Sequence, residues 1–143
     1  MYEVSKIIYS NSNFMRKSLL LFGAFFGILA VVFGALGAHA LENHLDESAL
    51  KSFETGVRYQ MYHALLLLWV GSSSLIQPKF QKTIGVLLVL GILFFSFSIY
   101  LLATSTWLGL QVSFLGPVTP IGGLLLIVAW LLIFINFFKM KTK

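Results

Sequence analysis

The sequence predicts an all-α integral membrane protein, a four-helix bundle with its N and C termini in the cytoplasm, and three observations carry that reading. Of 143 residues, 58% are apolar and only 10% are charged, with a mean hydropathy of +0.90. That is more apolar surface than a chain of this length can hide from water by folding alone. The apolar residues fall in long runs, each near the roughly 20 residues that a helix needs to cross a hydrocarbon core about 30 Å thick. The basic residues sit in ones to threes beside those runs, as topology signals do, instead of clustering on one face as a nucleic-acid footprint would. The net charge of +5 therefore reads as membrane topology, with no nucleic-acid partner. Cysteine is absent, so there is neither a disulfide framework nor thiolate chemistry to read.

The first span is expected over about residues 19–41. Arg16 and Lys17 precede it, and no charge interrupts it before His39 and Glu42. A cleaved signal peptide is the rival reading, because Ala38-His39-Ala40 has the A-x-A form, but the run is longer than the 7 to 15 residues of a signal h-region. Residues 1–17 form a polar lead-in expected to be mobile, and both Met1 and Met15 are available as starts. The second span is expected over about 57–76. It continues a helix that begins in the headgroup region, where Asp46 or Ser48 can cap it and Leu50, Phe53, Val57 and Met61 form an apolar stripe. A flexure is expected near Gly56. The third span is expected over about 83–103 and the fourth over about 119–138, followed by a basic tail at 140–143. Between them the uncharged stretch Thr104 to Pro117 stays near the membrane surface, with Trp107 at the interface. The transmembrane domain thus covers 18–139.

Charge placement sets the orientation. Four spans put both termini and the second loop on one side, which collects Lys6, Arg16, Lys17, Lys79, Lys82, Lys139, Lys141 and Lys143, against only Lys51 and Arg58 opposite. The positive-inside bias assigns the first side to the cytoplasm.

Within the first span, Gly23, Gly27, Ala30, Gly34 and Gly37 recur at steps of four and three. They draw one narrow seam on which another backbone can approach closely. The partner is either another span of the same chain or a second copy. Gly56 on the second span, and Gly122 and Gly123 after Pro117 and Pro120 at the start of the fourth, are further packing candidates.

Depth counting gathers the unusual polar residues toward the outer half. His39 ends the first span; Tyr59, Gln60 and His63 share a helix face with Gly56 on the second; Ser96 and Tyr100 lie one turn apart on the third; Thr119 opens the fourth. A polar group in hydrocarbon needs a partner or a wet cavity, so these seven are the candidate binding residues. Interhelical hydrogen bonding alone is the simpler account of them. His39, Glu42, His44 and His63 match no metal-ligand spacing, so no metal or other cofactor is expected. Nothing supplies a nucleophile with its base and oxyanion donors, so no catalytic residue is expected either.

Four stretches carry a family resemblance: Gly34-Ala35-Leu36-Gly37-Ala38-His39-Ala40-Leu41; Thr55-Gly56 with Tyr59-Gln60 and His63; Phe95-Ser96 with Ser98 and Tyr100; and Thr119-Pro120-Ile121-Gly122-Gly123. In this order they resemble domain-of-unknown-function family 423, small four-span bacterial inner-membrane proteins related to transmembrane protein 256 of animals, over about Leu19 to Phe138. The chain departs from the family pattern at Phe97 and at Ala129, where glycine is usual; both changes add bulk. The resemblance implies a bacterial cytoplasmic membrane and a retained first helix, and it supplies no activity. The expected function is a non-enzymatic accessory or binding module whose outer polar cluster holds a lipid headgroup or a partner helix. Passage of a small solute is the alternative, and an enzyme acting on a lipid-linked substrate comes third. The expected partners are the lipid bilayer and either another membrane protein or a second copy.

Overall fold

The computed structural model describes residues 2–140, with side chains from Asn13 onward. Met1, Lys141 and Lys143 lie outside the described residues, as does the Lys6 side chain, so the start at Met1 and the end of the basic tail fall there too. All regular structure among the described residues is helical. Helix α1 covers Tyr2–Ala35 and passes without a break into a π turn, Leu36–Leu41. Helix α2 covers Glu47–Ser72, and α3 covers Pro78–Ile92. A second π turn, Leu93–Phe97, joins α3 to α4, Ser98–Leu108, in one continuous rod. A 3-10 turn, Ser113–Leu115, leads into α5, Val118–Phe138.

Three of these rods, Asn13–Leu41, Pro78–Leu108 and Ser113–Phe138, are long and apolar enough to cross a membrane. Helix α2 is long enough, but it carries Arg58, Gln60 and His63 among its apolar residues. It packs against α1, the π turn after it, α3 and α4.

Local chemistry explains the ends. Asp46 caps α2, its carboxylate accepting from the Ala49 N–H at 2.8 Å. Helix α2 stops at Ser72, short of the expected Ile76, because Ser73 takes extended backbone. Pro78 occupies the first turn of α3, where its missing N–H leaves nothing unpaired, so that rod starts ahead of the expected Thr83. Gly109 ends α4 in the left-handed region, φ 65°, where its lack of a Cβ removes the steric cost. The lead-in before the first apolar run is helical as part of α1, and no break accompanies Gly56.

The glycine seam of α1 faces α2. A Cβ on Gly23 would stand 2.8 Å from the Leu68 side chain and 3.0 Å from the Ala64 carbonyl oxygen. One on Gly37 would meet Phe53, and one on Gly34 would touch Val57 at an ordinary 3.5 Å. Ala30 is buried between them. Gly27 is the exception, with open space around it. Close approach of α1 to α2 is thus built from small residues on α1 facing bulky ones on α2 and, at Gly71 of α2, from the reverse arrangement against Leu19 and Leu20, which in lipid is a gain in dispersion contact.

The inward face of the α3–α4 rod depends on its π turn. Ile84, Leu88, Ile92, Ser96 and Tyr100 recur every four residues, and all five are buried. In a regular α-helix each step of four overshoots a turn by about 40°, so the row would wind through roughly 160° and carry Tyr100 away from the face that holds Ile84. The wider turn at Leu93–Phe97 takes up much of that drift. At this turn α5 comes closest: a Cβ on Gly122 would collide with the backbone of Phe94 and Phe95. One on Gly123 would only touch the Phe95 ring, at 3.5 Å.

The main core is apolar, centred on Phe26, Leu67, Val70, Ile84, Leu88, Ile92, Leu126 and Ala129. Outward, Leu21, Ile28 and Val31 of α1 and Ile127 and Phe134 of α5 are all more than half exposed. A continuous apolar exterior of this kind suits lipid, not water.

Candidate functional site

Two sets of buried polar side chains lie at opposite ends of the apolar core. The first set is built on α2. Gln60 is fully buried and uses both ends of its amide: Nε2 donates to the Phe26 carbonyl oxygen of α1 at 2.8 Å, and Oε1 accepts from the Tyr100 hydroxyl of α4 at 2.9 Å. One side chain therefore ties three helices. The Tyr100 ring fits because Gly56 leaves room for it; a Cβ there would stand 2.7 Å from the ring edge. Phe33, Phe53 and Phe97 close around that ring, with centroids 4.9, 4.7 and 5.7 Å from it.

One turn along α2, His63 is 5% exposed and also engaged on both sides. Trp130 of α5 offers only an N–H, so His63 Nε2 accepts from it, at 3.2 Å. The ring proton then belongs on Nδ1, which donates to the Tyr59 carbonyl oxygen at 2.7 Å. The imidazole held this way is neutral, with no nitrogen left for a metal or for a substrate proton. Tyr59 itself is 42% exposed, stacked against His63 and against Phe95 at 4.8 Å.

Ser98 serves the π turn. Its single proton goes to the Phe94 and Phe95 carbonyl oxygens, so the contact at 2.7 Å with Thr119 runs from the Thr119 hydroxyl to Ser98 Oγ. Ser96, also in the turn, is fully buried with its hydroxyl unpartnered.

Six of the seven expected residues therefore gather in one half of the bundle, in three contacts: Gln60 with Tyr100, His63 with Tyr59, and Thr119 with Ser98 beside Ser96. His39 does not join them. It lies in the π turn after α1 with its side chain exposed, because that turn carries Gly37 and Leu41 inward instead. Among the described residues, no group of three or more His, Cys, Asp or Glu is placed to hold a metal ion.

Sequence reasoning missed Trp130 and the whole second set. At the end where α1 begins, Arg16 Nη2 donates to the Ser73 carbonyl oxygen at 3.0 Å, and Gln81 Nε2 donates to the same atom at 2.8 Å and to the Val70 carbonyl at 3.0 Å. Asn136 of α5 donates to the Leu75 carbonyl at 3.0 Å and accepts from the Gln77 N–H at 3.2 Å. Gln81 and Asn136 are buried. The one available signal was the Asn near the end of the last span, costly in hydrocarbon unless paired; Gln81 falls just ahead of the expected third span.

Comparison with known proteins fits this architecture. The profile of a family described as a protein of unknown function, DUF423, matches residues 33–123. The chain is 43% identical to a UPF0382 membrane protein of Staphylococcus saprophyticus over 123 residues, covering 86% of this chain and 98% of that protein. The chain belongs to this family. Among other DUF423 relatives, it is 40% identical to the UPF0382 membrane protein YwdK of Bacillus subtilis over 82% of this chain and 93% of YwdK. It is 34% identical to a UPF0382 membrane protein of Haemophilus influenzae over 90% of this chain and 99% of that protein. No solved structure matches the chain. With relatives that are membrane proteins and three helices able to span, this DUF423 member is a helical protein of a bacterial cytoplasmic membrane, in contact with the lipid bilayer.

Proposed function

We propose that the protein is a non-enzymatic accessory protein that crosses the membrane four times with both termini in the cytoplasm, and that the outer half of its bundle receives a helix of a partner membrane protein. The observation that carries the reading is how the outer polar groups spend their hydrogen bonds. Gln60 and His63 are saturated by protein atoms, so they stiffen a surface and are not free to act on a substrate. In front of them stand Tyr59, Tyr62 and Trp130, 42%, 57% and 51% exposed. Rigid aromatic side chains held from behind lose little conformational freedom on binding, and they are the residue types that anchor interfaces.

Four spans are supported by Gln60 and His63, the polar residues that lower the apolarity of α2, because both point into the bundle and not at lipid. Orientation is supported by Arg16, Lys17, Lys79, Lys82 and Lys139, which cluster at the ends of α1, α3 and α5 that meet around Ser73. Solute passage is the weaker reading, since Phe33, Phe53, Phe97 and Tyr100 fill the centre of the outer half. Catalysis is weaker still, because no described acid or base touches the Ser96 hydroxyl.

The test is affinity purification from detergent-solubilised membranes through a C-terminal tag. One membrane protein should co-purify with the parent chain and with Lys51→Ala, and be lost from His63→Ala and Trp130→Ala. Retention by all three variants would refute the role of this surface. A tag after Lys143 that antibody reaches from outside intact cells would refute the orientation.

A further inference from the structure

A second site lies at the other end of the bundle and does not depend on the outer cluster. Helices α1 and α3 run side by side and approach closely where Leu19 lies on Gly85; a Cβ on that glycine would overlap the leucine. Around this contact the two helices leave a groove of about 780 Å³ that opens to the exterior. Its walls are almost wholly apolar, with Phe14 and Pro78 at one end and Phe22 and Leu90 at the other. The ends are eight residues apart on α1 and twelve on α3, about 12 and about 18 Å.

Two side chains with polar atoms line it. Ser18 is already committed, its hydroxyl donating to the Phe14 carbonyl oxygen at 3.0 Å. Lys82 is exposed at the rim, and among the described residues no carboxylate lies within ion-pair reach of it. Lys79, one turn back, lies over the ring of its neighbour Phe80. This end of the bundle also carries Arg16, Lys17 and Lys139, and no described acidic side chain.

We infer that this groove binds one anionic phospholipid, an acyl chain lying between α1 and α3 and the headgroup phosphate paired with Lys82. The depth argues for an acyl chain. A helix from a second copy would need a groove running through the roughly 30 Å hydrocarbon core, whereas this one ends at Leu90, eight residues or about 12 Å beyond Lys82. The charge argues for an anionic headgroup. The phosphate meets a lysine with no competing carboxylate, while the cation of a zwitterionic headgroup would be set among four further basic residues.

The full chain, purified in detergent, should keep dioleoyl phosphatidylglycerol through native mass spectrometry and gain thermal stability from it, and do neither with dioleoyl phosphatidylcholine. Lys82→Gln should weaken retention of phosphatidylglycerol about fivefold, the loss expected for one surface cation at a membrane. Val86→Trp, which fills the groove, should abolish retention. Should Val86→Trp fail to fold, Lys82→Gln decides alone, because that exposed side chain holds no other described group. Tyr59→Ala, at the opposite end, should change nothing, which separates this site from the outer surface. Equal retention of the two lipids, or a Lys82→Gln variant that binds like the parent, overturns the inference. A dimer that Val86→Trp disrupts without any retained phosphatidylglycerol would identify a second copy as the occupant and overturn it as well.

Discussion

Gln60 and Gln81 are both buried glutamines on neighbouring helices, and they bond to different kinds of partner. Gln81 reaches only backbone carbonyls, Val70 and Ser73, at the end of the preceding helix. Together with Arg16 and Asn136 it holds the short connection between α2 and α3, satisfying carbonyls that a helix end leaves unpaired. Gln60 lies far from any helix end. It reaches a carbonyl of α1 and a hydroxyl of α4, so its work is to fix three helices relative to one another. Polar groups around the α2–α3 connection secure a loop, with Ser73 held twice over; those around Gln60 secure a shape, and each link there is made once.

The sharpest way to break that contrast is a pair of glycine substitutions. Gly122→Val sets a side chain against the backbone of the π turn, which cannot turn aside, and should cost about 3 kcal/mol or more, enough to lose the folded protein in detergent. Gly85→Val meets only the flexible Leu19 side chain and should cost about 1 kcal/mol. Thermal unfolding followed by circular dichroism checks both, and equal losses would mean that the outer turn is no more constrained than the inner helix contact. Next, Gln60→Leu strands the Tyr100 hydroxyl in the core and should cost about 1 to 2 kcal/mol, toward the upper range for hydrogen bonds inside membranes. A Tyr100→Phe change in the same background should return part of that loss, measured as a double-mutant cycle. The smallest effect is expected for Arg16→Ala, under about 0.5 kcal/mol, because Gln81 still donates to Ser73. A larger loss would show that the inner end is not redundant.

The features that were legible before the structure are those with a local or periodic signature. Asp46 announces the start of α2 by its side-chain type, and Gly23, Gly34 and Gly37 announce a seam by their spacing. Gln60 and His63 stand out because hydrocarbon makes any amide or imidazole conspicuous. The rest depends on partners distant in the chain. Trp130 reads as one more bulky apolar residue until His63 is placed opposite its N–H, 67 positions away. Arg16, Gln81 and Asn136 each look like ordinary residues near an interface, and only the fold shows that they converge on Ser73 to Gln77. His39 lies apart from the other six, because a count of depth carries no information about which way a π turn rotates the chain. The four-residue row from Ile84 to Tyr100 was visible in principle, but a regular helix makes it wind off the face, so nothing local recommends it.

That row bears on the order in which the molecule is completed. The π turn brings Tyr100 round to Gln60, and α5 reaches the turn from outside: Gly122 lies against its backbone, and Thr119 donates to the serine that satisfies its carbonyls. Helix α5 leaves the ribosome after the rod that it completes. Until it arrives, the turn lacks those two contacts, and the rod from Pro78 to Leu108 has less to hold it out of regular α-helical form. The surface around Gln60 and Tyr100 is therefore finished by a helix made after it, and a chain caught before that step would present Tyr100 on a different bearing.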